Sequence, residues 1–253
     1  MKITFLGTGT SMGVPVICCK CPVCTSDDFR DKRLRTSVLI EINGCNIVVD
    51  TGPDFRQQML RENITNVDAV LITHSHKDHI AGLDDVRAYN YFMNKPMDVY
   101  AGLSTQHAIK NEFTYVFSKN KYPGVPEINL IKFSNKPFKI HDIEIIPVRT
   151  LHFKMVVYGF RIGNFTYITD ANYISTNELK KIQGSEIIVI NALRKKKHVS
   201  HFNLDEAINI LNKLKPKTAY LTHISHQMGK YDDIQKELPP NINLAYDGLQ
   251  III

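Results

Sequence analysis

His74-Ser75-His76-Lys77-Asp78-His79 stands directly after the apolar run Val67-Asp68-Ala69-Val70-Leu71-Ile72-Thr73. Four of those six residues carry side chains that ligate metal ions. The preceding run has the length and apolar content of a buried strand. A strand ending in a tight loop can turn alternate side chains toward one point, and imidazole with carboxylate suits Zn²⁺, Mn²⁺ or iron. A surface turn has no need of three histidines and an aspartate so closely spaced, so the stretch reads as part of a metal centre.

Three more candidates close comparable runs: His152 after IEIIPVRTL, Asp170 after FTYIT and His223 after TAYLT. Singly, each is explained as a cap or turn residue. Together with the cluster they make seven ligands, which suit two ions sharing one carboxylate. That arrangement positions a bridging hydroxide and stabilises the charge formed in phosphoryl or acyl hydrolysis.

Outward from these residues the chain repeats short β-rich runs: 2–6, 36–42, 45–50 and 67–73, then 143–148, 156–162, 165–170, 186–191 and 218–222, with a final pair near 242–253. Helical spacing occurs at 54–62 and 204–214, and helices are expected at about 80–93 and 104–117. Residues 118–127, with Lys119, Lys121, Tyr122, Pro123, Gly124 and Pro126, read as a loop or lid. The simplest closed arrangement is two packed sheets between outer helices, although periodicity alone does not choose it over other α/β layouts.

With 253 residues, 43% hydrophobic and 22% charged, the chain is expected to form one domain, residues 1–253, with a sizeable core. The start MKITFLGTGT lacks the features of a signal peptide and no run is long enough to span a bilayer, so a cytoplasmic location without membrane association is expected. The formal charge of +6 favours anionic partners without selecting one. Gly7-Thr8-Gly9-Thr10-Ser11 lacks the rest of a phosphate-binding fingerprint and reads as a tight turn. His107 and His141 have no partners in sequence and read as surface or packing residues.

Four of the five cysteines fall at Cys18, Cys19, Cys21 and Cys24. In a reducing compartment that spacing suggests thiolate ligands over disulfides. Three thiolates need one more donor to close a tetrahedral zinc site, and both Cys19-x-Cys21-x-x-Cys24 and Cys18-x-x-Cys21-x-x-Cys24 are open choices. Cys45, inside an apolar run, reads as core.

The pattern H-x-H-x-D-H followed by separated His, Asp and His resembles the metallo-β-lactamase superfamily along essentially the whole chain. FLGTGTSMGVP, the cysteine cluster and THISHQ resemble its phosphodiesterase branch, typified by the cyclic-phosphoribosyl phosphodiesterase of phosphonate breakdown. The resemblance implies an α/β fold, the αββα four-layer metallo-β-lactamase-like sandwich. It implies that His74, His76 and His152 hold one divalent ion (Zn or Mn), that Asp78, His79 and His223 hold another, and that Asp170 bridges them. Asp50 then orients a ligand histidine from behind. A structural Zn on Cys19, Cys21, Cys24 and His226 follows from the same likeness.

An alkoxide leaving group needs a proton, and His201 is the candidate general acid, with His198 as rival. The basic run Arg194-Lys195-Lys196-Lys197 reads as a wet loop. The function implied is a metal-dependent phosphodiesterase acting on a small or cyclic phosphodiester, with Asp78 and His201 in the catalytic set. A tRNA 3′-processing endonuclease is the alternative with a nucleic-acid partner, but that branch carries an RNA-gripping arm between the histidine and the bridging aspartate, where only residues 153–169 lie. A redox or cofactor-biosynthesis protein of the same superfamily is the other alternative. Homodimerisation is implied by the family alone.

Overall fold

The computed structural model describes residues 1–253. The strands of the first half are apolar on both faces because both faces are covered. In β1 (Lys2–Gly7), β2 (Ser37–Ile42), β3 (Cys45–Val49) and β4 (Ala69–Leu71), the residues Ile3, Phe5, Val38, Ile40, Ile47, Val49 and Leu71 enter one buried cluster. Their alternates Leu6, Leu39, Val48 and Val70 enter another, with Phe55 and Met59 of helix α1 (Phe55–Arg61). The chain continues through α2 (Lys77–Ile80), α3 (Arg87–Met93), β5 (Met97–Ala101), α4 (Leu103–Glu112), α5 (Thr114–Phe117) and β6 (Ile128–Lys132).

The second half supplies β7 (Phe138–Ile140), β8 (Ile143–His152), β9 (Met155–Ile162), β10 (Phe165–Ile168), β11 (Tyr173–Ile174), α6 (Thr176–Ile182), β12 (Ile187–Asn191), α7 (Leu204–Leu214), β13 (Thr218–Thr222), α8 (Tyr231–Glu237), β14 (Ile242–Leu244) and β15 (Gln250–Ile252). Phe160, Ile162, Phe165, Tyr167 and Val189 face the first sheet, while Ile188, Ile190, Leu204, Ala207, Leu211 and Ile234 form the outer core beneath the helices. The strand orders are β15-β1-β2-β3-β4-β5-β6 and β11-β8-β9-β10-β12-β13-β14, with β7 on β8. Three buried clusters between four layers make the αββα sandwich.

The expected final pair does not pair with itself. β14 lies parallel to β13 in one sheet, and β15 runs antiparallel to β1 in the other. The helix expected over 80–93 is broken at Gly82, where a Cβ would stand 2.1 Å from the carbonyl oxygen of Gly52. That close approach interrupts regular helix between α2 and α3. The one expected over 104–117 divides at Phe113, whose backbone leaves helical angles. Residues 118–127 form an irregular connection. Gly7–Ser11 is more than a turn: Gly9 bridges both Arg35 and Ile224, and Thr8 and Thr10 are buried. No helix is long and apolar enough to cross a membrane.

Candidate metal centre

The ends of β4, β8, β10 and β13 bring His74, His152, Asp170 and His223 together from both sheets. β4 stops before Thr73-His74, and the loop runs through His76 into α2, which carries Asp78 and His79. Asp170 and His223 lie just beyond β10 and β13 with φ of +52° and +55°. Left-handed backbone costs a non-glycine residue, and both positions adopt it at the ends of strands on either side of β12.

Asp170 stands at the centre, with Oδ1 3.3 Å from His79 Nε2 and 3.2 Å from His223 Nε2. Asp78 Oδ2 lies 3.2 Å from that His79 nitrogen. The other Asp170 oxygen, Oδ2, is 3.9 Å from His74 Nε2, which is 3.1 Å from His76 Nδ1. Around a tetrahedral ion with bonds near 2.0–2.1 Å, donors stand roughly 3.3 Å apart. Asp78, His79, Asp170 and His223 therefore have the spacing of one ion's shell, and His74, His76 and Asp170 that of part of another. His152 groups with Asp170 and His201, its ring 5.0 Å from His76 and 5.8 Å from His74. His201 thus stands among the candidate metal donors, a grouping that its sequence context did not suggest.

The nitrogens that face inward lack other work. His79 Nε2, His223 Nε2 and His201 Nδ1 are buried without a hydrogen-bond partner, a state that costs free energy unless an ion or water satisfies them. On its other side His79 Nδ1 lies 2.6 Å from Asp50 Oδ2, whereas His223 Nδ1 is unpartnered too; among the remaining histidines, His152 Nδ1 lies 2.7 Å from the Ser200 carbonyl and His74 Nδ1 2.9 Å from Thr73 Oγ1. These donors fit a divalent cation. Thr73 and the Ser200 carbonyl carried no signal in the sequence: one is an ordinary strand residue and the other acts through its backbone.

Burial opposes ionisation of Asp170, but the His223 and His79 imidazoles reverse it and hold the carboxyl well below its ordinary range. Asp78 is held down in the same way, chiefly by His79. Burial opposes charge on His79 too, and Asp170, Asp50 and Asp78 override it upward. For His201 the upward pull of Asp170 is outweighed, and burial reinforced by His223 lowers it to about 2. His198, half-buried, has its ring tilted against that of His201, 5.2 Å between centroids. Arg194–Lys197 is a solvated loop in which the Arg194 guanidinium binds the carbonyls of Lys196 and Lys197.

A second donor group lies apart from the first. The sulfurs of Cys19, Cys21 and Cys24 are 3.2, 3.5 and 3.5 Å from His226 Nδ1. Cys18 is exposed and outside the group, so the geometry selects Cys19. The Cys24 backbone N–H, donating to Cys21, draws that thiol down to about 6, whereas burial pushes Cys24 up to about 11. Cys45 is buried between the sheets. His107 and His141 are exposed.

Two sheets sandwiched by helices, with histidines and carboxylates gathered where the ends of both sheets meet, define a metal-dependent hydrolase. Residues 45–224 match the β-lactamase superfamily domain, and the chain belongs to that superfamily. It is similar to a diphosphatase of the PhnP family, with 38% identity over 100% of this chain and 97% of that one and a TM-score of 0.93. Zn²⁺-bound PqqB from Methylobacterium extorquens shares the fold at 17% identity, 100% of both chains and a TM-score of 0.81. So does the short form of human tRNase Z, at 17% identity, 100% of this chain, 99% of that one and a TM-score of 0.72. A curated relative from Porphyromonas gingivalis, named octanoyltransferase, is 39% identical over 256 residues. The match takes in 100% of this chain and 52% of that protein, so the chain spans about half the length of the curated relative.

Proposed function

We propose that this chain is a metal-dependent phosphodiesterase that hydrolyses a small or cyclic phosphodiester at a dinuclear centre in a single catalytic domain. The observation that carries the reading is the division of Asp170: Oδ1 faces His79 and His223, and Oδ2 faces His74. One carboxylate serving two donor groups is the arrangement of a bridging ligand. Zn²⁺ or Mn²⁺ bound there would supply Lewis acidity toward water and the phosphoryl oxygens. Asp78, His79 and His223 hold one ion and His74, His76 and His152 the other. Cys19, Cys21, Cys24 and His226 hold a structural zinc.

The chain's own groups do the rest. Asp50 and the Ser200 carbonyl fix the tautomers of His79 and His152, so that each presents a lone pair inward. His201, grouped with His152 and Asp170, is the side chain that would protonate the departing oxygen, and a phosphate anion beside it would favour its protonated form.

A second reading, cleavage of a diphosphate bond, is favoured by the 38% identity to the PhnP-family diphosphatase. Its in-line displacement at phosphorus makes the same demands on the site. An RNA substrate is less favoured, because residues 153–169 are taken up by the β9 and β10 hairpin and leave no room for an RNA-gripping arm.

The deciding experiment loads the protein with Mn²⁺ or Zn²⁺ and measures turnover of bis(p-nitrophenyl) phosphate, 2′,3′-cyclic nucleotides, a phosphoribosyl 1,2-cyclic phosphate and a dinucleoside diphosphate. Hydrolysis of a cyclic ester or diphosphate supports the reading. No turnover of any of them, with metals bound, overturns it.

A further inference from the structure

Phe153 follows His152 at the tip of the β8–β9 hairpin, where His152 pairs with Met155. Its side chain is 54% exposed and its φ is +56°. A bulky residue is strained there, and glycine or asparagine meets the requirement more easily, as at Asn43-Gly44 in the β2–β3 turn. His141 has the same backbone at the opposite end of β8, so strain alone singles out nothing. What distinguishes Phe153 is its place beside a candidate metal ligand.

The hairpin tip is held by neighbouring loops. The Phe153 backbone N–H donates to Asn172 Oδ1 at 2.8 Å, and Asn172 Nδ2 donates to the Val199 carbonyl at 3.0 Å. The Asn172 backbone N–H donates to the Leu151 carbonyl at 2.8 Å. Phe153 and Val199, itself 66% exposed, therefore stand on two connected loops that carry His152 and His201. The Lys154 ammonium lies over the Phe153 ring, 5.4 Å from its centroid. An aromatic ring in solvent with a cation over it, on the hairpin that carries the candidate ligand His152, matches the parts of a nucleotide. Every base has a π-face that stacks on such a ring, and the ammonium suits phosphate.

We infer that Phe153 is a stacking platform for a nucleobase, so that the phosphoryl group handled here is attached to a nucleoside and not to a bare sugar. The inference rests on the phosphodiesterase reading and narrows its substrate class. Adenosine 5′-monophosphate and ribose 5-phosphate differ in the base alone, and calorimetry on the purified metal-loaded protein compares them without turnover.

The wild type should bind the nucleotide roughly tenfold tighter or more. Phe153→Ala should bring the two affinities together, and Phe153→Tyr should keep them apart. Equal affinities in the wild type, or a ratio that Phe153→Ala leaves intact, overturn the platform. Turnover of the cyclic esters reads the parent proposal separately. Hydrolysis of a base-free ester with equal binding of the two probes sinks the platform alone. A preserved nucleotide preference that Phe153→Ala abolishes, with no ester hydrolysed, supports the platform and sinks the hydrolytic reading.

Discussion

Asp50 and His79 form a pair sealed from solvent, with the carboxylate Oδ2 2.6 Å from the imidazole Nδ1 and neither side chain measurably exposed. The same carboxylate accepts the backbone N–H and the hydroxyl of Thr73, both at 2.8 Å. One aspartate thus fixes the rotamer and tautomer of His79 and ties down the residue before His74. Its own φ of +65° places it with Asp170 and His223 among the left-handed residues of the site.

From this pair the first prediction follows. Asp50→Ala leaves the His79 N–H without its acceptor, and metal affinity at the active site should fall about 10–100-fold. Equilibrium dialysis of the folded variant against Mn²⁺ checks it. An affinity equal to the wild type's would show that Asp50 serves only to hold the backbone.

Asp170→Ala removes the group that touches both donor sets. The variant should lose active-site metal and phosphodiesterase turnover together, while the cysteine-bound zinc stays. Elemental analysis beside an activity assay tests this, and full activity in the variant contradicts the bridging assignment.

The candidate donors were legible in part from chemistry unusual for its place, since His74, His76, Asp78 and His79 crowd one strand end, whereas the distant partner of Cys19, Cys21 and Cys24, His226, was reached only through the family resemblance. A strand buried on both faces, such as β12, was legible from its continuous apolar run. β5 and β6 were not, since Met97–Ala101 and Ile128–Lys132 are short runs flanked by charged and turn residues, and their strand character comes from pairing with β4 and with each other. The break at Gly82 depends on contact with Gly52 across the fold, which no local window contains. The clasp made by Asn172 was equally hidden, since its partners are backbone groups of Phe153 and Val199.

His201 sits 4.5 Å ring to ring from His152 and 4.7 Å from His223, close enough to serve as acid or as ligand. His201→Ala should retain both active-site metals and slow esters with poor leaving groups by roughly 10²–10⁴-fold, with a smaller loss for nitrophenyl esters, whose leaving group needs no proton. Equal losses for the two classes would point to binding or electrostatics. Loss of a metal would make His201 a ligand.

Phe153→Gly offers a stability counterpart to the nucleotide test. Relief of the left-handed backbone should stabilise the fold by about 1 kcal/mol, seen as a higher melting temperature, because the exposed ring contributes little packing. His141→Gly is the control, with a similar gain and no effect on nucleotide preference. A fall in melting temperature for Phe153→Gly would mean that the ring packs in solution.

Cys21 tests whether the second centre is structural. Cys19, Cys21, Cys24 and His226 offer a closed, sulfur-rich set with sulfur to nitrogen distances of 3.2 to 3.5 Å, which favours zinc and leaves no open position for water. The active-site donors contain no sulfur and should exchange Zn²⁺ for Mn²⁺ more readily. His226 lies three residues beyond His223, and Ile224 between them is bridged to Gly9, so zinc there would pin the strand end that carries an active-site ligand. Cys21→Ser should therefore lose about one zinc per chain and melt at a lower temperature. The folded fraction should keep its two active-site ions and part of its turnover. Binding at this centre should also weaken as the pH falls, because each thiolate and the imidazole must be deprotonated to ligate. Unchanged zinc content together with an unchanged melting temperature in Cys21→Ser would reduce the cysteines to packed thiols.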